Sequence, residues 1–335
     1  MKKIFKQLLS ASIFILSLTA LRAQQSIYSF EKKIALPGNS GYDYLSIDTI
    51  NKHLFVSHGT SVNVIDLKTE EPLAVIDGMK GIHGIAVVNE INKGFITDGK
   101  DNAVVVFDLT TFKIIKTIKI SGDKPDAIMY DPFSKKILAF CGDSNNASVV
   151  DINSLTQTGT IDLGGAPEFA VSDGKGLVYN NLEDKSSLVV VDMKTMKVIH
   201  TYPLSPCGGP TGMALDEVNQ RVFTACRENK GMSVVDINSG KVITTVPIGG
   251  GVDAVAYDQS SGLIICSNGD GTATIIKQES PDKYSVVQTL NTQQRAKTLA
   301  FDKSTRKLYL SAPQFEPGTR NIIPDSFAVL VYKQQ

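Results

Sequence analysis

A position that recurs seven times at nearly constant spacing restricts the fold more than any other feature of this chain. Successive occupants lie 40 to 44 residues apart and each ends a short apolar run: Asp48, Val88, Asp131, Asp173, Asp216, Asp258 and Asp302. A period near forty residues predicts a repeat architecture, because one strand-rich unit of that size cannot bury its own apolar faces.

Each unit contains four short apolar runs. The second run reads LFVSH or GFITDG, the third reads VVFDL or SVVDI, and the fourth reads FKIIKTIKI or GKVITTVPI. The runs are rich in Val and Ile and are bounded by turn residues, which is typical of β-strands. Four short strands in forty residues predict one blade of a β-propeller, so residues 24–335 are predicted to form an all-β, seven-bladed β-propeller.

The two ends of the chain complete one blade between them. The last unit supplies three strands, Thr298–Asp302, Leu308–Ser311 and Phe327–Tyr332, and lacks a fourth. Ile27–Leu36 precedes the first unit and has the pattern of a fourth strand. We therefore expect this N-terminal strand to pair with Phe327–Tyr332 and close blade 7, which removes an exposed sheet edge.

Residues 1–23 have the charge and hydropathy order of a secretory signal. Lys2, Lys3 and Lys6 precede an apolar stretch that ends in small residues near Ala23. The stretch is short for a membrane span, although a retained anchor is the alternative. We expect a cleaved signal peptide and a periplasmic or secreted protein without a membrane span. Its removal leaves 30 basic and 34 acidic residues, a formal charge of −4, which disfavours nucleic acid as a partner.

The repeat motifs resemble those of a known family. The second strands GFITDG and LFVSH, the VVDI-type third strands and the links GDKPDAI and GGAPEFA are similar to YVTN-repeat seven-bladed propellers. Lys277 and Tyr332 depart from the pattern, since they stand where earlier third strands have Asp. The resemblance covers the whole predicted mature chain and implies the fold. Similar propellers include lactone hydrolases, haem d1 domains of nitrite reductases and periplasmic single-stranded DNA-binding proteins.

The resemblance also implies that the first strand of each blade lies nearest the propeller axis. Seven polar residues, each five positions before the recurring position, are then expected at the mouth of the central channel: Asp43, His83, Asp126, Glu168, Thr211, Asp253 and Lys297. A hydrated pore or turn-capping aspartates would give the same pattern. Below, these seven positions are called the mouth ring.

A second ring is expected at the ends of the second strands: His58, Asp98, Cys141, Asn181, Cys226, Asn268 and Ala312. His58 and Asp98 are predicted to join Asp43 and His83 in one sector, beside Lys297. Such a set suits a divalent metal, with Asp43, His58 and His83 as ligands, or acid–base chemistry. Hydrogen bonding of blade tops is the alternative.

Other features of the expected funnel face leave their roles open. Arg227 suits an anionic ligand or a surface salt bridge. The long link between Ala312 and Ser326 suits a lid or a solvated insertion. The spacing of the four cysteines does not decide whether Cys207 and Cys226 are bonded, and small buried thiols are the commoner use.

No recognisable catalytic motif accompanies these residues. We therefore expect a monomeric binding or scaffold protein that docks a small ligand or an envelope protein on its funnel face. The alternative is a lactonase-like hydrolase or a metal-dependent enzyme that uses the Asp and His sector. A divalent metal is the one cofactor that the residues suggest.

Overall fold

Seven four-stranded antiparallel sheets make up the protein, as a seven-bladed β-propeller requires. The computed structural model describes residues 26–38 and 40–335, so the expected signal peptide at residues 1–23 lies outside the described residues. Over the described ranges, none of the helices has the length and apolar character needed to cross a bilayer.

The first four blades follow the chain in order, after an N-terminal strand β1 (Tyr28–Ala35). Blade 1 consists of β2 (Tyr42–Asp48), β3 (His53–His58), β4 (Ser61–Asp66) and β5 (Glu71–Ile76). Blade 2 consists of β6 (Ile82–Val88), β7 (Lys93–Asp98), β8 (Ala103–Asp108) and β9 (Ile114–Lys119). Blade 3 consists of β10 (Pro125–Asp131), β11 (Lys136–Cys141), β12 (Asn146–Asp151) and β13 (Thr156–Asp162). Blade 4 consists of β14 (Pro167–Ser172), β15 (Leu177–Leu182), β16 (Ser187–Asp192) and β17 (Lys197–Pro203).

The remaining blades complete the ring. Blade 5 consists of β18 (Pro210–Asp216), β19 (Arg221–Cys226), β20 (Gly231–Asp236) and β21 (Val242–Pro247). Blade 6 consists of β22 (Val252–Asp258), β23 (Leu263–Asn268), β24 (Thr272–Ser280) and β25 (Lys283–Asn291). Blade 7 combines β1 with β26 (Leu299–Asp302), β27 (Lys307–Ser311) and β28 (Ala328–Gln334). Short 3-10 helices occur at Asn89–Ile91, Gly99–Asp101 and Glu183–Lys185.

The predicted closure of blade 7 by the N-terminal strand is confirmed. Strand β1 is hydrogen-bonded to β28 in antiparallel register, with Phe30 opposite Tyr332 and Ile34 opposite Val329. The backbone N–H of Leu36 extends the ladder by donating to the carbonyl of Phe327 at 2.9 Å. Because β1 covers the outer edge of β28, the start and end of the chain form one sheet.

The hydrophobic core is divided among the seven contacts between neighbouring blades. At the contact of blades 7 and 1, for example, Val329 and Val331 pack with Leu54 and Val56. Each blade lies between two others, so its middle strands are buried on both faces. This explains why the third runs of the sequence are continuously apolar, whereas the outermost strand β9 is almost entirely exposed.

The recurring aspartates that revealed the repeat have a structural role. Asp48 is buried at the end of β2, and its Oδ1 accepts hydrogen bonds from the backbone N–H groups of Ile50 and Asn51, both at 3.0 Å. Asp216 and Asp302 close the corresponding turns of blades 5 and 7 in a similar way. A short carboxylate that captures turn N–H groups favours the reversal into the second strand.

Glycines allow the innermost strands of neighbouring blades to approach closely. A Cβ on Gly84 in blade 2 would lie 2.8 Å from the carbonyl oxygen of Asp126 in blade 3. A Cβ on Gly212 in blade 5 would lie 2.7 Å from the carbonyl oxygen of Asp253 in blade 6. Only glycine fits at these two positions, and both contacts fix the backbone of a mouth-ring residue.

A disulfide joins Cys207 to Cys226 and settles a question that the spacing left open. Cys207 lies in the link into blade 5, and Cys226 ends the second strand of that blade. Cys141 and Cys266 are free thiols and are buried, as small core residues often are.

Candidate functional site

The mouth ring lies at the entry to the innermost strands: six members are the second residue of their strand, and Lys297 lies two residues before β26. Asp43, His83 and Asp126 lie at the starts of β2, β6 and β10, and these strands contact one another around the axis. Hydrogen bonds between blades hold the backbone of the ring, since Thr97 Oγ1 donates to the carbonyl of Asp126 at 2.5 Å and Thr298 Oγ1 donates to that of Asp43 at 2.8 Å. The ring positions are therefore fixed by the fold.

Blades 1 to 3 bring two carboxylates and one imidazole together. His83 Nδ1 lies 2.7 Å from Asp43 Oδ2 and 3.8 Å from Asp126 Oδ1. All three side chains are partly exposed. Their potential ligand atoms all lie within 4.8 Å of one another. This cluster, called the Asp–His–Asp cluster below, has donors that a divalent metal accepts and is also arranged for proton transfer.

The electrostatics of this sector show unbalanced negative charge. Burial and the nearby charge of Asp43 raise the pKa of Asp126 to about 6. Burial, together with the charges of Asp126 and Glu183, raises the pKa of Glu168 to about 9. Burial disfavours the charged form of His83, but the hydrogen bond with Asp43 and the charges of Asp126 and Asp43 raise its pKa overall. Asp43 and Asp126 therefore share one imidazole, while Glu168 lies close to other acids.

Blades 4 to 7 contain a second group of charges, called the ion-pair sector below. Asp253 forms ion pairs with both Arg227 and Lys297, one through each carboxylate oxygen. Arg227 also contacts Glu183, with Nη1 2.7 Å from Oε1. Burial disfavours the charged form of Lys297, yet the charges of Asp253 and Asp43 raise its pKa. The cations of this sector are thus already engaged.

Thr211, the mouth-ring residue of blade 5, is a structural member of the set. It is buried, and its Oγ1 donates to the carbonyl of Val252 in blade 6 at 3.2 Å. The backbone carbonyl of Thr211 also accepts a hydrogen bond from the side chain of Asn181 in blade 4, whose Nδ2 lies 2.8 Å away. Its role is to join blades.

An aromatic pair lies in the channel, one residue along the strands from the mouth ring. The rings of Tyr44 and Phe169 are 5.8 Å apart between centroids and line a cavity of about 150 Å³. Burial, followed by the charges of Asp126 and Glu168, raises the pKa of Tyr44 well above its usual value. A neutral phenol therefore lies near the carboxylates. No sequence motif predicted this pair, although each aromatic residue directly follows a mouth-ring residue.

His58 does not join the Asp–His–Asp cluster, contrary to the expected placement. Its ring is buried and stacks on Phe327, with centroids 4.1 Å apart, and its Nδ1 lies 3.1 Å from Asn63 Nδ2. Burial lowers its pKa. The end of β3 faces blade 7, so the imidazole packs between blades and Asp126 takes its place beside His83.

Asp98 also lies outside the expected sector, because its side chain binds the backbone. Its two carboxylate oxygens accept hydrogen bonds from the backbone N–H groups of Gly81 and Lys80 at 2.9 and 2.8 Å. The side chain is buried in the link that leads into β6. Asp98 thus fixes the segment immediately before His83.

The expected second ring contains one error of register. In blade 4, Leu182 lies opposite Pro167, as His58 lies opposite Tyr42 in blade 1, so Leu182 occupies the position expected for Asn181. Glu183 then corresponds to Arg227, which follows Cys226 in blade 5. The correct register would have placed Glu183 at the mouth beside Glu168.

The long link between Ala312 and Ser326 packs against the funnel face. The guanidinium of Arg295 lies 4.1 Å from the centroid of Phe315, and the ring of Tyr42 lies 6.5 Å from that of Phe315. Phe315 also forms an isolated bridge with Ile322. The link borders a cavity of about 530 Å³, so it adds wall to this face beside blades 7 and 1.

A groove lies beside the Asp–His–Asp cluster, between blades 1 and 2. Its volume is about 310 Å³, and its lining includes Asp43, His83, Lys80 and Lys100. Lys80 forms an ion pair with Asp101 at 2.5 Å. The groove is therefore lined by two lysines together with the imidazole and one carboxylate of the cluster.

Comparisons with known proteins show a shared fold and one partial sequence match. No family model matches the chain. A stretch of 171 residues is 24% identical to Antigen Lp49 of Leptospira interrogans serogroup Icterohaemorrhagiae serovar copenhageni, covering 48% of this chain and 37% of that protein. The match therefore spans well under half of the relative's length. A chain of Kuenenia stuttgartiensis hydrazine synthase superposes with a TM-score of 0.72 at 15% identity, over 82% of this chain and 94% of that one, which shows a shared fold.

Proposed function

We propose that this chain is an exported propeller of the YVTN-repeat type that binds a ligand or an envelope partner on its funnel face. The order of charged, apolar and small residues in residues 1–23 supports export. The disulfide between Cys207 and Cys226 agrees with an oxidising compartment. The partial match to a protein named as an antigen also agrees with export.

The single observation that carries the proposal is the charge at the mouth ring. Asp43 and Asp126 share His83, and the charges of Asp126 and Glu183 act on Glu168. Grouped carboxylates with raised pKa values are typical of functional sites, because repulsion of this kind persists where a ligand relieves it. Fixed ring positions and an open groove favour a preformed binding site.

The binding role is tested with protein purified from its native envelope. Native mass spectrometry of the wild type is expected to show a bound molecule or partner that is lost from an Asp126→Asn/Glu168→Gln variant. A matched variant, Asp282→Asn, changes an exposed carboxylate in the β24–β25 turn of blade 6 that pairs with Arg221 of blade 5, and this variant is expected to keep the bound molecule. A molecule retained by the mouth variant, or absent from the wild type, would contradict the proposal.

A hydrolase is the second candidate, and the contact of 2.7 Å between Asp43 and His83 is the observation that favours it. A carboxylate that orients an imidazole is the usual arrangement of a general base that activates water. Lactone hydrolysis releases acid, so titration at constant pH measures it directly. The hydrolase model expects acid release by the wild type and a loss of at least about 100-fold in His83→Gln. Equal rates for the two proteins would exclude it.

Nucleic acid fits this face poorly. The two carboxylates of the Asp–His–Asp cluster would repel phosphates at the mouth, and the chain without residues 1–23 carries a formal charge of −4. The ligand favoured by this sector is cationic, or reaches the carboxylates through a cation.

A further inference from the structure

We propose that Asp43, His83 and Asp126 hold one divalent transition-metal ion, and that the adjacent groove admits an anion that completes its coordination. The inference rests on the proposed binding function, because it names the class of ligand for the same face. It differs from the sequence-based expectation in its ligands, since Asp126 replaces His58 and the anion is new.

The distances within the cluster are close to those of a metal centre. Ligand atoms held at about 2.1 Å from a tetrahedral ion lie about 3.4 Å from one another. In this protein His83 Nδ1 lies 2.7 Å from Asp43 Oδ2 and 3.8 Å from Asp126 Oδ1, and no two of the three ligand atoms are more than 4.8 Å apart. Small side-chain rotations therefore suffice to place all three around one ion.

The charge balance also favours a divalent ion. A neutral imidazole with two carboxylates carries two negative charges, which one divalent cation cancels. Three cations of the funnel face are engaged by other acids, because Lys297 and Arg227 bind Asp253 and Lys80 binds Asp101. A metal would also remove the repulsion between Asp43 and Asp126, since both would bind it as anions.

The backbone behind His83 holds the imidazole toward the cluster. A Cβ on Gly99 would lie 3.0 Å from both Cδ2 and Nε2 of His83, so the ring rests directly against this glycine. Asp98, the residue before Gly99, is fixed by the N–H groups of the link into β6. With its Nε2 edge against the chain, the ring presents Nδ1 to the two carboxylates. A ligand that is oriented from behind costs less to order when the metal binds.

The groove explains why the ligand completing the coordination is an anion. Three protein ligands leave at least one open position on a tetrahedral ion. The space next to it has a volume of about 310 Å³ and contains the side chains of Lys80 and Lys100. The stem of Lys100 lies over Gly81, where a Cβ would be 2.8 Å from its Cδ. Because Lys80 is paired with Asp101, the cation available to an anion at the open metal position is Lys100, which favours a carboxylate or a phosphate.

The metal site is tested on the full exported chain after treatment with a chelator and desalting. Calorimetry with Zn²⁺ and absorption spectroscopy with Co²⁺ are expected to show one ion per chain. His83→Gln and Asp126→Asn are each expected to weaken uptake at least about 100-fold while thermal melts remain cooperative. The control is His200→Gln, the same substitution in an exposed outer strand, which is expected to bind as the wild type does.

The anion is tested on the Co²⁺-loaded protein. Acetate and inorganic phosphate are titrated separately, and at least one is expected to shift the visible spectrum. Lys100→Met is expected to weaken that shift about tenfold and to leave Co²⁺ affinity unchanged, because Lys100 contacts the anion and not the metal. A spectral response equal to that of the wild type would overturn the groove as an anion site.

Two results would overturn the metal site: no uptake of Zn²⁺ or Co²⁺ by the wild type, or equal uptake by His83→Gln. Either result leaves the proposed function standing if the molecule bound from the envelope is still lost from the mouth variant. Conversely, metal uptake without any bound envelope molecule supports the metal site while the broader proposal fails.

Discussion

The two halves of the funnel mouth contain similar acids but neutralise them in opposite ways. In the ion-pair sector, Asp253 binds two cations, Arg227 and Lys297, so its charge is cancelled by the protein itself. In the Asp–His–Asp cluster, two carboxylates share the single imidazole of His83. The difference shows that equal positions in a repeat need not have equal roles.

The pKa directions follow the same division. The charges of Asp253 help keep Lys297 and Arg227 protonated, against the effect of burial. On the other side, burial and neighbouring acids raise the pKa of Asp126 to about 6 and that of Glu168 to about 9. In one half the acid is therefore paired with cations of the protein, whereas in the other the acids raise one another's pKa values.

The largest expected effect comes from separating the halves where they meet, at the contact of blades 7 and 1. Removing all residues through Leu36 deletes β1 and exposes β28, so we expect aggregation or loss of cooperative unfolding. Calorimetry and light scattering measure both. A chain that begins at Ser26 keeps β1 and is the control. An unchanged melting curve for the shorter chain would contradict the closure of blade 7.

The next largest effect concerns the disulfide beside Arg227. The bond closes a segment of 19 residues, and the Cys207→Ser/Cys226→Ser variant is expected to lose about 3 kcal/mol of unfolding free energy. Urea denaturation measures the loss, and a reductant is expected to weaken the wild type but not the variant. Metal affinity is expected to stay unchanged, because the bond lies outside the Asp–His–Asp cluster. A loss of metal affinity in this variant would show that the two halves of the mouth depend on each other.

A substitution within each half compares them directly. Asp253→Asn removes the ion pair of Lys297 and leaves Arg227 with Glu183 alone, so it is expected to cost about 2 kcal/mol of unfolding free energy. Asp126→Asn removes a repelled carboxylate, so in chelator it is expected to cost less than about 0.5 kcal/mol. Urea denaturation of both variants under the same conditions gives the comparison. Equal losses would show that the halves are electrostatically alike.

The last expected effect is a dependence of the unfolding free energy on pH that comes from Glu168. Its folded pKa is raised from 4.5 to about 9, so the folded protein keeps a proton that the unfolded chain releases between these values. The stability of the wild type therefore falls as the pH rises through this window. In chelator, Glu168→Gln is expected to match the wild type in stability near about pH 4 and to become increasingly more stable than the wild type as the pH rises to about 8.

The exposed Glu217→Gln is the control for that measurement, since its side chain pairs at the surface with Lys175. Its difference from the wild type is expected to be independent of pH over the same range. If Glu168→Gln behaves like this control, the carboxylates of blades 1 to 4 do not repel one another as described.

Sequence patterns predicted the architecture well because local chemistry repeats in every blade. Three local features sufficed to predict the closed seven-bladed ring: the apolar middle strands, the turn-capping aspartates such as Asp48, and the strands at the two ends of the chain that need a partner. The predicted side-chain partners were less accurate. The repeat pattern predicted that His58 would lie in the same sector as His83. Instead, the ring of His58 faces blade 7 and stacks on Phe327.

The sequence by itself determined the number of blades, their order and the segment that leads into each innermost strand. These follow from spacing and alternation, which act between neighbours along the chain. Only the tertiary structure decided which polar side chains meet: Asp126 with His83, Glu183 with Arg227, and Asp98 with backbone N–H groups. The reason is that a repeat fixes where each Cα lies, whereas the direction of a side chain at the mouth depends on the blade packed beside it.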